Sequence, residues 1–224
     1  MTTSVGQAPS VLGRALLLLE PFRHRDGLTL TELADRTGFP RSTTHRMLTQ
    51  LVAVGWIRRE GTTYLLGPKM AELGSIAQVH DRVHQAAQPV AYQLYRRTRG
   101  AVHVAVAVDE DVLVLEKIGG RWAAASLDTR VGQRRGLHET IEGAALARHE
   151  AGGPTQFHDT QRALAGGEHI RCLAATFDVP GRAATDDLTP GVAVISLTFP
   201  TARMHPSADE ELRRGVRAVV HSLS

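Results

Sequence analysis

The 224-residue sequence holds one cysteine, Cys172, which excludes an internal disulfide framework. It has no long apolar run. The leucines Leu16 to Leu19 make only four in a row, far from the roughly 20 residues that a membrane-spanning helix needs. The first residues, Met-Thr-Thr-Ser-Val-Gly-Gln, lack the basic start and apolar stretch of a secretion signal. A cytoplasmic protein with no membrane partner is therefore expected. No nucleophile motif, phosphate-binding glycine loop or paired acid signature occurs, so neither an enzyme nor a bound cofactor is expected. A strong excess of one charge is also missing, since the net charge is only +3.

What is present is ordinary in bulk and uneven in detail. Hydrophobic residues make up 42% and charged residues 22%, as in soluble globular proteins, and the length allows two modest domains. Residues 1–80 carry nine Arg and Lys against six Asp and Glu, while 81–224 carry seventeen of each. The whole excess of positive charge lies in the first third, which points to an anionic partner there.

That third reads as helices joined by tight turns. Ser10 can cap a first helix whose Val11, Ala15, Leu16, Leu18 and Leu19 would form a broad buried face, with Pro21 ending it. After an extended lead-in at Leu28 to Leu30, Thr31 is expected to cap a short helix through about Arg36. Glu32 and Asp35 near its start suit the helix dipole. Gly38 then supplies positive φ for a steep exit, Phe39 packs inward, and Pro40 takes the first-turn slot of the next helix. This helix, about 40–54, should bury Thr44, Met47, Leu48, Leu51 and Val52. Its other face shows Arg41, Ser42, Thr43, His45, Arg46, Thr49 and Gln50. Such a donor-rich face directly after a tight turn is what the second helix of a helix-turn-helix presents to the major groove. "GWIRREGTTYLLG" adds strands Trp56 to Arg59 and Thr63 to Leu66 around Gly61-Thr62, a basic hairpin fit to be the wing, with Arg58 and Arg59 near the DNA backbone or minor groove. The expected partner is double-stranded DNA.

Further along, residues 69–100 have helical period twice over, the first part to about Val79, with Pro89 restarting a second helix. "AVHVAVAVDEDVLVLEKIGG" alternates as a hairpin, Ala101 to Val108 and Val112 to Ile118. "IRCLAATFD" and "GVAVISLTF" add two more strands. Strands with helices around them suggest an α+β layer fold. Cys172, between Arg171 and Leu173 in a strand, reads as a small buried hydrophobe and not a nucleophile.

The ordered set "SVLGRALLLLE", "LTLTELADRTGFPRSTTHRMLTQLVAVGWIRREGTTYLLGPKMAELG", "TRGAVHVAVAVDEDVLVLEKIGG", "RVGQRRGLHETIEGAALA", "HIRCLAATFDVPG" and "VAVISLTFP" resembles the IclR family of bacterial transcription factors. The resemblance implies an N-terminal winged helix-turn-helix at residues 1–67, a linker helix at 68–80 and, at 81–224, a GAF-like antiparallel-sheet domain that binds an effector and oligomerises. It implies a ligand-responsive repressor or activator that works as a dimer or tetramer on a pseudo-palindromic operator. A small-molecule pocket is then expected between the sheet and residues 130–148. By position, Leu137, His138, Thr140 and Ile141 would line one side, and Cys172, Ala174, Ser196 and Thr198 the other.

This chain departs from the family pattern in three places. Glu139 and Ile141 stand where small residues are common, Phe199 stands where a glycine is common before Pro200, and the segment between Ala147 and Ile170 is short. Bulk at these positions would shrink or reshape the pocket, and the short segment would remove a wall. The longer connection at 179–191 could fold over the site or into a subunit contact. Two alternatives remain beside the effector reading. One is a C-terminal domain that only oligomerises. The other is a metal-responsive regulator, suggested by eleven histidines with His80 and His84 one helical turn apart, although a pair without a third ligand is usually a solvated face and no metal site is expected.

Overall fold

The computed structural model describes residues 10–23, 25–149, 155–164, 167–180 and 191–224. The chain divides into two compact units, Met1–Ala77 and Gln78–Ser224.

In the first unit, Ser10 Oγ accepts a hydrogen bond from Gly13 N at 3.1 Å and opens α1, Val11–Leu17. The expected broad buried face is not found. Val11, Leu12, Leu16 and Leu17 are exposed, and the chain meets the core just past the helix, where Leu18, the partly buried Leu19 and then Phe22 turn inward. Pro21 lies in a 3-10 turn, Glu20–Arg23, beyond the helix. Strand β1, Leu28–Thr29, runs straight into α2, Leu30–Thr37. The N-cap is Thr29 and not Thr31: its side chain accepts from Glu32 N at 3.3 Å, and the Glu32 carboxylate accepts from Thr29 N at 2.8 Å. This reciprocal box satisfies two otherwise orphaned donors, and the two Thr29 hydrogen bonds, backbone first, hold the Glu32 carboxyl below its usual range. Gly38 ends α2 at φ 70, with its N–H on Ala34 O at 2.9 Å.

Helix α3, Arg41–Ala53, starts one residue after Pro40, which serves as its N-cap. Thr44, Met47 and Leu48 are buried, whereas Leu51 is half-buried and Val52 exposed. Strands β2, Ile57–Glu60, and β3, Thr63–Leu66, form an antiparallel hairpin around Gly61-Thr62, and β1 joins its far edge by pairing Leu28 with Tyr64. Leu18, Phe22, Leu28, Leu33, Met47, Leu48, Ile57 and Tyr64 make one core.

Helix α4, Pro68–His80, contains the division between the units. Asp81 breaks the helical run and caps α5, Arg82–Thr98, by accepting from His84 N at 2.7 Å. The second helix was expected to restart at Pro89, yet Pro89 lies inside α5. An interior proline removes a backbone hydrogen bond; here the buried stripe Val83, Ala87, Ala91 and Leu94 holds the helix together across it.

The second unit is a six-stranded antiparallel sheet made of β4 (Ala101–Val108), β5 (Asp111–Ile118), β6 (Arg134–Gly136), β7 (Gln156–Ala163), β8 (His169–Asp178) and β9 (Val192–Pro200), in the order β6-β5-β4-β9-β8-β7. Two of these strands, β6 and β7, were not expected. Residues 156–163 supply an edge strand along β8, so the short segment before Ile170 carries a wall and does not remove one. Alternation sorts the two faces. Val102, Val104 and Val106, Leu173, Ala175 and Phe177, and Ile195, Leu197 and Phe199 share one core with α5 and with α8, Ala208–Leu223. The other face presents His103, Ala105, Cys172, Ala174, Val194, Ser196 and Thr198, and helix α7, Ile141–Leu146, packs on it through Ala145 and Leu146. A short helix α6, Arg121–Ser126, precedes the loop to β6. Phe199 belongs to the first face, where a Cβ on Gly100 would lie 2.4 Å from its ring. It therefore fills space against α5 and does not narrow the opposite face. Residues 181–190 of the long connection lie outside the described residues.

Candidate functional site

Two surfaces carry chemistry, one in each unit. In the first, α3 contains no acidic residue, and the turn at Gly38 aims its N-terminal half outward. Arg41, Ser42, His45 and Arg46 are exposed together with Thr49 and Gln50, while Thr43 is half-buried at the margin of this face. The hydroxyl of Thr44 turns back to Pro40 O at 3.2 Å, which lets this polar side chain be fully buried beneath the display. In the hairpin, Arg59 Nε donates to Gly61 O at 2.8 Å, and its guanidinium lies 5.6 Å from the Tyr64 ring centroid. Arg59 thus braces the turn. Arg58, exposed, pairs with Glu60. The two arginines alternate in direction along β2, so they do not form one patch.

The second unit contains a cavity of about 560 Å³. Its walls are the stretch from Ala125 to Thr129, Arg135, the stretch from Glu139 to Glu142, the end of β7 from Arg162 to Leu164, and Ile170 and Thr198 from the sheet, with His103 at its base. Of the residues expected by position, Thr140, Ile141 and Thr198 line it. The other five do not. Leu137 and Ala174 belong to the apolar packing around α7, and His138 is exposed. Ser196 is fully buried and donates to Glu142 Oε1 at 2.7 Å. Cys172 is fully buried as well; burial first, and the Glu142 charge second, push its thiol far up, so it stays a thiol. Glu139 stands at the mouth and Ile141 in the wall, where their bulk does shape the opening.

The base is polar, and most of it was not anticipated. His103 is 3% exposed, with Nε2 2.9 Å from Thr129 Oγ1 and Nδ1 3.4 Å from Glu142 Oε1. Its Nδ1 makes no hydrogen bond. Burial lowers the pKa of the ring, the Glu142 charge opposes that shift, and Lys117 adds to it. Lys117 donates to the carbonyls of Ala123, Leu127 and Thr129 at 3.3, 2.8 and 2.8 Å, and so ties down the wall that follows α6. At the mouth Arg135 bonds Glu139 at 3.3 Å and lies 3.8 Å from Asp128, and Arg162 donates to Glu139 O at 3.2 Å. A signal for His103 exists in the sequence: it is the one polar residue in "AVHVAVAV". Glu142 gave no such signal, because an acid in the first turn of a helix is ordinary.

The pair His80 and His84 falls on two different helices, with Asp81 between them, and His84 Nε2 lies 3.3 Å from Glu116 Oε2. Among the described residues no group of three His, Cys, Asp or Glu is placed to hold a metal ion. No helix there is long and apolar enough to cross a membrane.

Comparison with known proteins gives consistent results. Residues 11–61 match the IclR helix-turn-helix domain. The chain is 31% identical to the HTH-type transcriptional regulator KipR of Bacillus subtilis over 56% of this chain and 50% of KipR. It is likewise 31% identical to the regulator XynR of Escherichia coli, over 59% of this chain and 54% of that protein. The chain thus spans about half the length of the curated relatives it matches. Among solved structures, an IclR homologue from Microbacterium hydrocarbonoxydans complexed with 4-hydroxybenzoate superposes with a TM-score of 0.68 at 23% identity, over 96% of this chain and 99% of that one. HmgR of Pseudomonas aeruginosa superposes with a TM-score of 0.69 at 21% identity, over 96% and 97%. At such identities the superpositions establish the fold: an N-terminal helix-turn-helix unit followed by an antiparallel-sheet unit.

Proposed function

We propose that the chain is a transcriptional regulator of the IclR family, that it binds operator DNA through α3 and that it senses a small molecule in the cavity of its second unit. The observation that carries the DNA half is the exposed, acid-free face of α3 behind a left-handed glycine turn. Arg41 and Arg46 reach base edges or phosphates, Ser42, Thr43 and His45 add donors between them, and Arg58 on the hairpin approaches the backbone while Arg59 braces the turn that presents it. The sensing half is supported by the cavity beneath α7 and by the 4-hydroxybenzoate held by the Microbacterium homologue. For such a molecule to regulate, it must bind one arrangement of the protein better than another. The exposed leucines and Val11 of α1 support self-association, so that two α3 helices meet a pseudo-palindromic site.

A gel-shift titration of the full chain against the DNA upstream of its own gene tests this reading. Arg41→Ala and Arg46→Ala should each weaken specific binding about tenfold or more while leaving the circular dichroism melt in place. Unchanged affinity in both variants would remove α3 as the reading helix.

A further inference from the structure

The cavity's charges are distributed unequally between mouth and base. At the mouth the two guanidiniums are already engaged: Arg135 by Glu139 and Asp128, and Arg162 by the Glu139 carbonyl. At the base stands Glu142, 9% exposed, with the Ser196 hydroxyl on Oε1 and His103 Nδ1 3.4 Å away. Arg135 also lines this part of the cavity, but its guanidinium is taken up by Glu139 and Asp128. The nearby Lys117 directs its ammonium at three backbone carbonyls. A buried carboxylate without a cation is costly unless hydrogen bonds and an opposite charge reach it. A buried imidazole nitrogen without a partner is a second unmet demand. In the tautomer that has Nε2–H donate to Thr129 Oγ1, Nδ1 is a lone-pair acceptor beside a carboxylate oxygen. Two acceptors at that spacing match a group with more than one N–H.

We infer that the cavity selects ligands that seat an N–H or O–H donor between Glu142 and Nδ1 of His103, a primary ammonium before a hydroxyl, and that it rejects ligands which would place a carboxylate there. This rests on the reading of the cavity as the effector site and names the chemical class that site takes. An ammonium supplies three donors and a compensating charge. A hydroxyl supplies one donor and no charge, and a carboxylate brings only acceptors and a like charge. The aliphatic wall of Ile141, Leu164 and Ile170 takes the body of the ligand.

The test uses matched probes on the full chain: benzylamine, benzyl alcohol and benzoate, and the same three head groups on cyclohexylmethyl and butyl skeletons, by isothermal titration calorimetry at neutral pH. The expected order in the unaltered protein is amine, alcohol, carboxylate, with the amine at least about tenfold tighter than the carboxylate. Glu142→Gln keeps an acceptor for Ser196 and removes the charge, and should cut the amine-to-alcohol ratio by about tenfold. Should that variant not fold, the ranking in the unaltered protein decides alone. Carboxylates binding as tightly as amines, or a ratio unmoved by Glu142→Gln, would overturn the inference and leave the sensing role standing. If no probe binds at millimolar concentration while operator DNA is still bound, the sensing role fails and the inference fails with it.

Discussion

His103 is the residue whose environment has the most direct consequence for the behaviour of the protein. It stands in a strand of alanines and valines, buried on the cavity side of the sheet. Its pKa is lowered from the ordinary 6.5, chiefly by burial, with Lys117 lowering it further and Glu142 working against both. In the unfolded chain the same ring takes up its proton near 6.5. As pH falls through that value the unfolded state binds a proton first, so stability declines until the lower folded value is reached. His158, also lowered by burial and by Arg148 and His149, contributes in the same direction. The difference between proteins isolates His103: between pH 7.5 and 5.5 the wild-type melting temperature should drop more than that of His103→Gln. Equal drops would mean that the folded ring titrates as the unfolded one does, and a smaller drop in the wild type would mean that Glu142 holds a proton on the ring in the fold.

At the scale of elements, glycines at two turns of the first unit fix the placement of α3 and of the hairpin for different reasons. Gly38 has φ 70, and a Cβ added there meets nothing within 4 Å. The cost of Gly38→Ala is therefore conformational, about 1 kcal/mol. Gly67 does not need a left-handed backbone, but its Cβ would fall 2.1 Å from Gly55 O. Gly67→Ala must open the turn between β3 and α4, and should cost clearly more, upward of about 2 kcal/mol. Urea denaturation followed by Trp56 fluorescence separates the two, and a Gly38→Ala loss larger than that of Gly67→Ala would contradict this account.

The same elements show what could be read without coordinates. The Gly38 turn, the face of α3 and the β4–β5 hairpin carry local signals: a glycine at a helix end, residues of one kind at helical spacing, strict alternation. Thr29 displaced Thr31 as the cap because the strand pairing of Leu28 and Thr29 with the hairpin fixes where α2 begins, a non-local cause. Strand β7, with the sequence QFHDTQRA, has no clean alternation because it is a half-exposed edge, and only its pairing with β8 defines it. In the cavity, Thr140, Ile141 and Thr198 were reachable by position, while Asp128, Arg135 and Arg162 come from segments whose approach depends on β6 and β7.

On the scale of the whole molecule, the chain has two units, each with its own apolar core, and one tryptophan in each: Trp56 in the first and Trp122 in the second. Separate cores predict separate cooperative transitions. In Trp122→Phe the remaining fluorescence follows the helix-turn-helix unit, and in Trp56→Phe it follows the sheet unit. A ligand that binds only the folded form of one unit raises that unit's stability by RT ln(1 + [L]/Kd), about 2.7 kcal/mol at a hundredfold excess over Kd. Operator DNA should therefore move the urea midpoint seen by Trp56, and a cavity ligand the midpoint seen by Trp122. Movement of the Trp56 transition by the cavity ligand would measure the coupling free energy that regulation requires, since linkage makes that quantity the same in both directions. Coincident transitions in both variants, shifted equally by either ligand, would instead show that the two units unfold as one body, and the regulatory signal would then have to act within a single cooperative structure.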